Sequence, residues 1–213
     1  MGSLIYWVYE RLLLRQLTTL PRQICFFITA GDMRDALGKL LECTNWCREI
    51  SEIVKRRAIE EFSPEIIGIT YHISTTEPAS LEPCLPQIRE IASVARLILH
   101  IGDTEEILGK GINVTVAIGK SGRDEILGCI RRMAADGITP DQVDEYSIEP
   151  YLTFPYTPDL VIKTGGNHLT DFLIWQSVYS ELFFSDINWK YLRKVDFLRV
   201  LRDYQSRVRR FGK

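Results

Sequence analysis

The chain has 213 residues, 46% of them hydrophobic and 25% charged. That is enough apolar material for one packed domain of ordinary size, and it excludes disorder as the default state. A net charge of −2 argues against a general nucleic-acid binder.

In chain order, Leu4–Leu14 is apolar but holds Glu10 and Arg11 and falls short of the roughly 20 residues that a membrane span needs. Residues 1–18 are expected to form an amphipathic helix ahead of one domain over 19–213. This helix either packs on its own domain or a partner, which is the favoured outcome, or lies in a bilayer surface with Tyr6, Trp7 and Tyr9 at headgroup level. Ile24–Thr29 predicts a strand, and a helical pattern runs from Gly31 to about Glu61. Ile66–Ile73 is the next strand, followed by a segment broken by Pro78, Pro83 and Pro86. A helix from about Gln87 leads into a strand at Leu97–Ile101. Ile112–Ile118 is a further strand, then a glycine loop at Gly119–Gly122 and a helix to about Asp136. Asp159–Thr164 is the last clear strand, with helices expected over Asp171–Phe184 and Tyr191–Arg207.

Unalternating apolar strands, each followed by a helix, predict an α/β single domain: a mostly parallel sheet with helices on both faces. Ligands of such sheets bind beyond the carboxyl ends of the strands. This directs attention to Thr29–Arg34, Tyr71–Glu77, Gly119–Arg123 and Lys163–His168.

Charge is unevenly spread. Thr139–Trp189 has eight acidic residues and one basic residue, whereas Lys190–Lys213 has nine basic and two acidic ones. A basic end suits phosphate groups, a membrane surface or nucleic acid, or is a solvated helix face. The five cysteines (25, 43, 47, 84 and 129) lack the spacing of a zinc site and are expected to be buried thiols in a reducing compartment. The letters Gly119-Lys120-Ser121 do not make a phosphate loop, because Val114 stands where the first glycine of that motif belongs. Trp46, Trp175 and Tyr179 fall on helical stretches and are expected in the core or an interface.

The segment Asp159–Trp189 (DLVIKTGGNHLTDFLIWQSVYSELFFSDINW) closely resembles the signature of the cis-prenyltransferases, the undecaprenyl and dehydrodolichyl diphosphate synthases. Their pattern is DLxIRTSGExRxSNF, then LLWQ, YxELxF and W. Arg207–Gly212 (RVRRFG) resembles the family's terminal RxRRFG. Ser121–Ile126 and Tyr71–Glu77 resemble its glycine-arginine turn and YxFSTEN strand end, and Leu20–Ala36 its first strand and M-D-G-N-x-R-W-A loop. The resemblance covers nearly the whole chain. It implies a family fold and a transferase making polyprenyl diphosphate, a glycosyl-carrier lipid precursor, from isopentenyl diphosphate and an allylic diphosphate with Mg2+.

The departures from the pattern carry the functional expectation. Ala30 stands at the position of the aspartate that binds magnesium on the allylic diphosphate in the family, and a methyl group cannot ligate that ion. Asp32, two residues on, is expected to point elsewhere. Lys163 replaces the family arginine and lacks its bidentate fork. Asn167 replaces a glutamate in a loop one residue short. Glu181 matches the other acid tied to the metal, and alone is a relic or an interface residue. Between Glu77 and Gly119 the chain is several dozen residues shorter than members that wall a tunnel for a growing product.

These losses imply a non-catalytic subunit of a heteromeric enzyme, of the Nogo-B-receptor kind. Its catalysis would be done by a homologous chain that holds the magnesium, and no metal is expected here. Arg210, with Gly212, is expected to reach the partner's isopentenyl diphosphate. Arg34, Arg123, Lys163 and His168 are possible residual anion contacts. The alternatives are a divergent homodimer active alone, and a membrane or nucleic-acid adaptor on a retained fold, although no nucleic-acid partner is expected. The expected location is cytoplasmic, with peripheral attachment to the membrane as the alternative.

Overall fold

The computed structural model describes residues 2–58, 65–102, 104–154, 157–166, 173 and 175–207, with side chains from residue 5 onward. Seven strands form one sheet: β1 (Gln23–Thr29), β2 (Gly68–Ser74), β3 (Arg96–Ile101), β4 (Thr104–Leu108), β5 (Asn113–Ile118), β6 (Leu160–Thr164) and β7 (Glu181–Ser185). Their spatial order is β4-β3-β5-β2-β1-β6-β7, and every pairing is parallel except β3 with β4. The fold class is thus α/β with a mostly parallel sheet, as the apolar runs predicted.

The helices are α1 (Gly2–Gln16), α2 (Ala30–Asp35), α3 (Lys39–Lys55), α4 (Leu85–Arg89), α5 (Gly122–Ala135), α6 (Glu145–Ile148) and α7 (Lys194–Ser206). Alternation along the strands sends Ile24, Phe26 and Ile28 to one face and Cys25 and Phe27 to the other, all of them buried. The first face holds the main core. There Trp189, Phe26, Tyr71 and Phe197 interlock, with Phe26 5.4 Å from Tyr71 and 5.8 Å from both Trp189 and Phe197. Burying each such ring is worth about 1.5–3 kcal/mol. On the second face Phe154 and Leu173 pack on Ala117. The buried Glu125 of α5 holds that segment by accepting hydrogen bonds from the backbone N–H groups of Thr153 and Phe154.

Three expectations need correction. The helix expected over Asp171–Phe184 ends, where described, in turns and then in β7, so Asp159–Thr164 is not the last strand. Glu181–Ser185 alternates half-buried and exposed residues, and Phe183 packs against the main core. That period of two suits an edge strand and overrides the helical propensity of its neighbours. The long helix after Gly31 is two helices, α2 and α3, separated at 36–38 by a turn with Gly38. The interval Glu77–Gly119 holds an additional strand, β4, which returns antiparallel on β3. The five cysteines are free and buried.

Candidate functional site

The carboxyl ends of β5, β2, β1 and β6 lie side by side. Thr29 is level with Ser74, and Phe27 is level with His72 on one side and Lys163 on the other. Gly119 closes β5 with φ +68°, and a Cβ there would come within 2.5 Å of the Pro78 ring. Only glycine fits this approach without strain, so the glycine loop has a structural role and packs the start of α5 against Thr75–Pro78.

At the end of β1, Thr29 and Asp32 form a capping box. The Thr29 hydroxyl accepts from the Asp32 N–H at 3.1 Å and donates to Asp32 Oδ2 at 2.7 Å, while the Thr29 N–H donates to the same oxygen at 3.1 Å. Asp32 is therefore engaged as a helix cap on its own strand end. Ala30, half-buried, is the first residue of α2. Among the described residues no group of three or more His, Cys, Asp or Glu side chains converges.

Lys163 is 6% exposed. Its ammonium donates to the Thr164 carbonyl at 2.6 Å and lies 5.8 Å from the centre of the Phe27 ring. Burial lowers its pKa from the usual lysine value, and the nearby Asp32 carboxylate partly opposes that. The Thr164 hydroxyl is buried without a partner among the described residues. Beyond it, Gly165 and Gly166 adopt φ +68° and +132°, and the Gly165 N–H donates to the Ser185 and Ile187 carbonyls. This turn fastens the end of β6 to that of β7.

The structure thus brings together Ala30, Asp32 and Lys163, with Arg34 exposed on the same short helix. Arg123, exposed at the start of α5, belongs to the β5 end, with β2 between it and β1. His168, Arg210 and Gly212, like Asn167, lie outside the described residues. Glu181 is not part of this cluster. It is level with Leu160, which is level with Ile24, and so sits at the opposite ends of the strands from Ala30. Its carboxylate pairs with Arg207 at 3.0 Å, and Arg207 also pairs with Asp203 at 2.6 Å. Sequence reasoning missed this link, because 26 residues separate its two ends and no local pattern announces it. It also missed the cap made by Asp32, although the Thr-x-x-Asp spacing was legible.

Residues 91–212 match the family model described as putative undecaprenyl diphosphate synthase, more than half of the chain. The chain belongs to the undecaprenyl diphosphate synthase family, the cis-prenyltransferases. A tritrans,polycis-undecaprenyl-diphosphate synthase (geranylgeranyl-diphosphate specific) of Thermoplasma volcanium is 32% identical over 253 residues, covering 100% of this chain and 98% of the relative. That alignment is longer than the 213-residue chain, so the relative has stretches with no counterpart here. An isoprenyl transferase of Thermus thermophilus is 30% identical, covering 98% of this chain and 96% of its own. In fold, the chain superimposes on a probable undecaprenyl diphosphate synthase of Campylobacter jejuni with a TM-score of 0.67 at 21% identity, covering 92% of this chain and 100% of that one.

What a cis-prenyltransferase site must do is hold and stabilise diphosphate charge, mostly by positioning. Here the β1 and β6 ends offer the cations Lys163 and Arg34, with the Asp32 carboxylate beside Lys163.

Proposed function

We propose that this chain is the accessory subunit of a heteromeric cis-prenyltransferase. A homologous partner would hold Mg2+ and condense isopentenyl diphosphate with an allylic diphosphate, and this chain would donate its terminal Arg210 and Gly212 to that partner's site. The observation that carries the reading is the β1 end: Ala30 offers no ligand, and Asp32, the nearest acid in sequence, is engaged as a cap on Thr29.

Two further features support it. β7 is an edge strand with Leu182 and Phe184 exposed, and Val178 and Tyr179 are exposed just before it. An apolar edge of this kind invites pairing with another chain. Arg207, which opens the RVRRFG tail, is fastened to Glu181 and the Leu182 carbonyl on that same strand. Arg207 therefore lies at the edge where a partner would sit. A guanidinium supplied across an interface to a phosphate site acts as an arginine finger does.

The competing reading is a homodimer active alone, favoured by the full-length similarity to relatives named as enzymes. The test is Arg210→Ala in the pair reconstituted with a homologous chain that carries the family aspartate. A raised KM for isopentenyl diphosphate with partner binding intact is expected. Unchanged turnover and unchanged KM would defeat the proposal.

A further inference from the structure

Helix α1 carries two apolar stripes on opposite sides. Leu13 and Leu14, with Leu17 just beyond the helix, are buried against the domain. The packing is reinforced by Arg57, which donates to the Leu14 carbonyl at 2.9 Å, and by Gln205, which donates to the Gln16 carbonyl at 3.0 Å. The other stripe, Ile5, Val8 and Leu12, has the spacing i, i+3, i+7 and points away from the domain, 70%, 43% and 49% exposed. Trp7, 54% exposed, flanks it. A helix that served only to pack on its own domain would turn polar residues outward.

The charges beside this stripe identify what covers it. Arg11 and Arg15 are exposed next to Trp7, Val8 and Leu12, and these five residues line a shallow groove. The Arg11 guanidinium lies 5.0 Å from the Trp7 ring centre. Glu10, the one acid of the helix, pairs with Lys194 of α7 at 3.0 Å and is drawn toward the domain. The outward face is thus apolar, aromatic and positively charged. That is the chemistry of a helix lying in the surface of an anionic bilayer.

The direction of the helix adds to this. Tyr6 lies under Arg193, Tyr9 meets Arg199, and Gln16 meets Gln205, so α1 runs parallel to α7. Its aromatic end is therefore next to the turn Trp189–Tyr191, which touches α2 at the carboxyl ends of the strands. In that turn Tyr191 is 68% exposed and lies against Lys190. We propose that the outer face of α1 seats the protein on an anionic lipid bilayer, with the strand ends beside the headgroup layer. This does not depend on whether the chain is an accessory subunit or active alone, because its test reads binding and not turnover.

The experiment is co-sedimentation of the full chain with vesicles of phosphatidylcholine, with and without phosphatidylserine. Binding to the anionic vesicles, weakened by salt, is expected. Val8→Ser with Leu12→Ser, and separately Arg11→Glu with Arg15→Glu, should each reduce it tenfold or more without changing the melting midpoint. Bromine-labelled acyl chains should quench tryptophan fluorescence in the wild type and much less in Trp7→Phe. Equal binding to neutral vesicles, no vesicle binding, or variants that bind like the wild type would overturn the proposal. Loss of a homologous partner in the variants, with vesicle binding unchanged, would also overturn it and make the face a protein interface.

Discussion

Replacing His72 with phenylalanine should make the fold more resistant to acid. His72 lies in β2, fully buried, with its ring stacked on Phe27 at 5.1 Å. Burial favours the neutral imidazole and pushes its pKa down to about 4, from an ordinary value of 6.5. Between those two values the unfolded chain binds a proton that the folded chain refuses. Stability is therefore complete above pH 6.5 and falls as the pH drops toward 4. The gap of about 2.5 units, at about 1.4 kcal/mol per unit, amounts to about 3.5 kcal/mol, or roughly 7–14 °C in melting midpoint for a chain of this size. His100 is shifted the same way, chiefly by burial, so the wild-type loss includes its share. The difference between wild type and His72→Phe isolates His72, and phenylalanine preserves a ring to stack on Phe27. The assay is urea denaturation at a series of pH values from neutrality to about 4, with the midpoint and slope fitted at each. If the two proteins lose stability in parallel over that range, His72 is not the buried neutral group described here.

Thr29→Val removes the side-chain half of the capping box and should cost about 1 kcal/mol by thermal denaturation. Gly119→Ala forces a Cβ toward the Pro78 ring at positive φ, and should cost about 1–3 kcal/mol in the same measurement. Arg207→Ala breaks half-exposed ion pairs with Glu181 and Asp203, so the isolated chain should lose less than about 1 kcal/mol. In a reconstituted pair, however, turnover should fall on the order of tenfold, because the tail that Arg207 anchors is misplaced. Equal turnover with and without Arg207 would separate that anchor from function.

The sheet was legible because β1, β2, β5 and β6 are buried on both faces and appear as mainly apolar runs without alternation. β7 was not: its Phe-Phe pair follows a stretch with helical spacing, and only pairing with β6 tells the two apart. β4, with two glutamates in five residues, has no apolar run to betray it and exists as the return leg of a hairpin on β3. At the site, that Ala30 offers no ligand follows from residue type alone. The engagement of Asp32 required the local cap geometry. The distance of Glu181 from Ala30 required the strand register, since a residue tied to a motif by family pattern need not meet that motif within one chain.

The most direct test is to incubate the purified chain with Mg2+, an allylic diphosphate and labelled isopentenyl diphosphate, alone and then with a homologous chain carrying the family aspartate. The account predicts no label in polyprenyl product from this chain alone and incorporation once the second chain is added. Sustained incorporation by this chain by itself would contradict it.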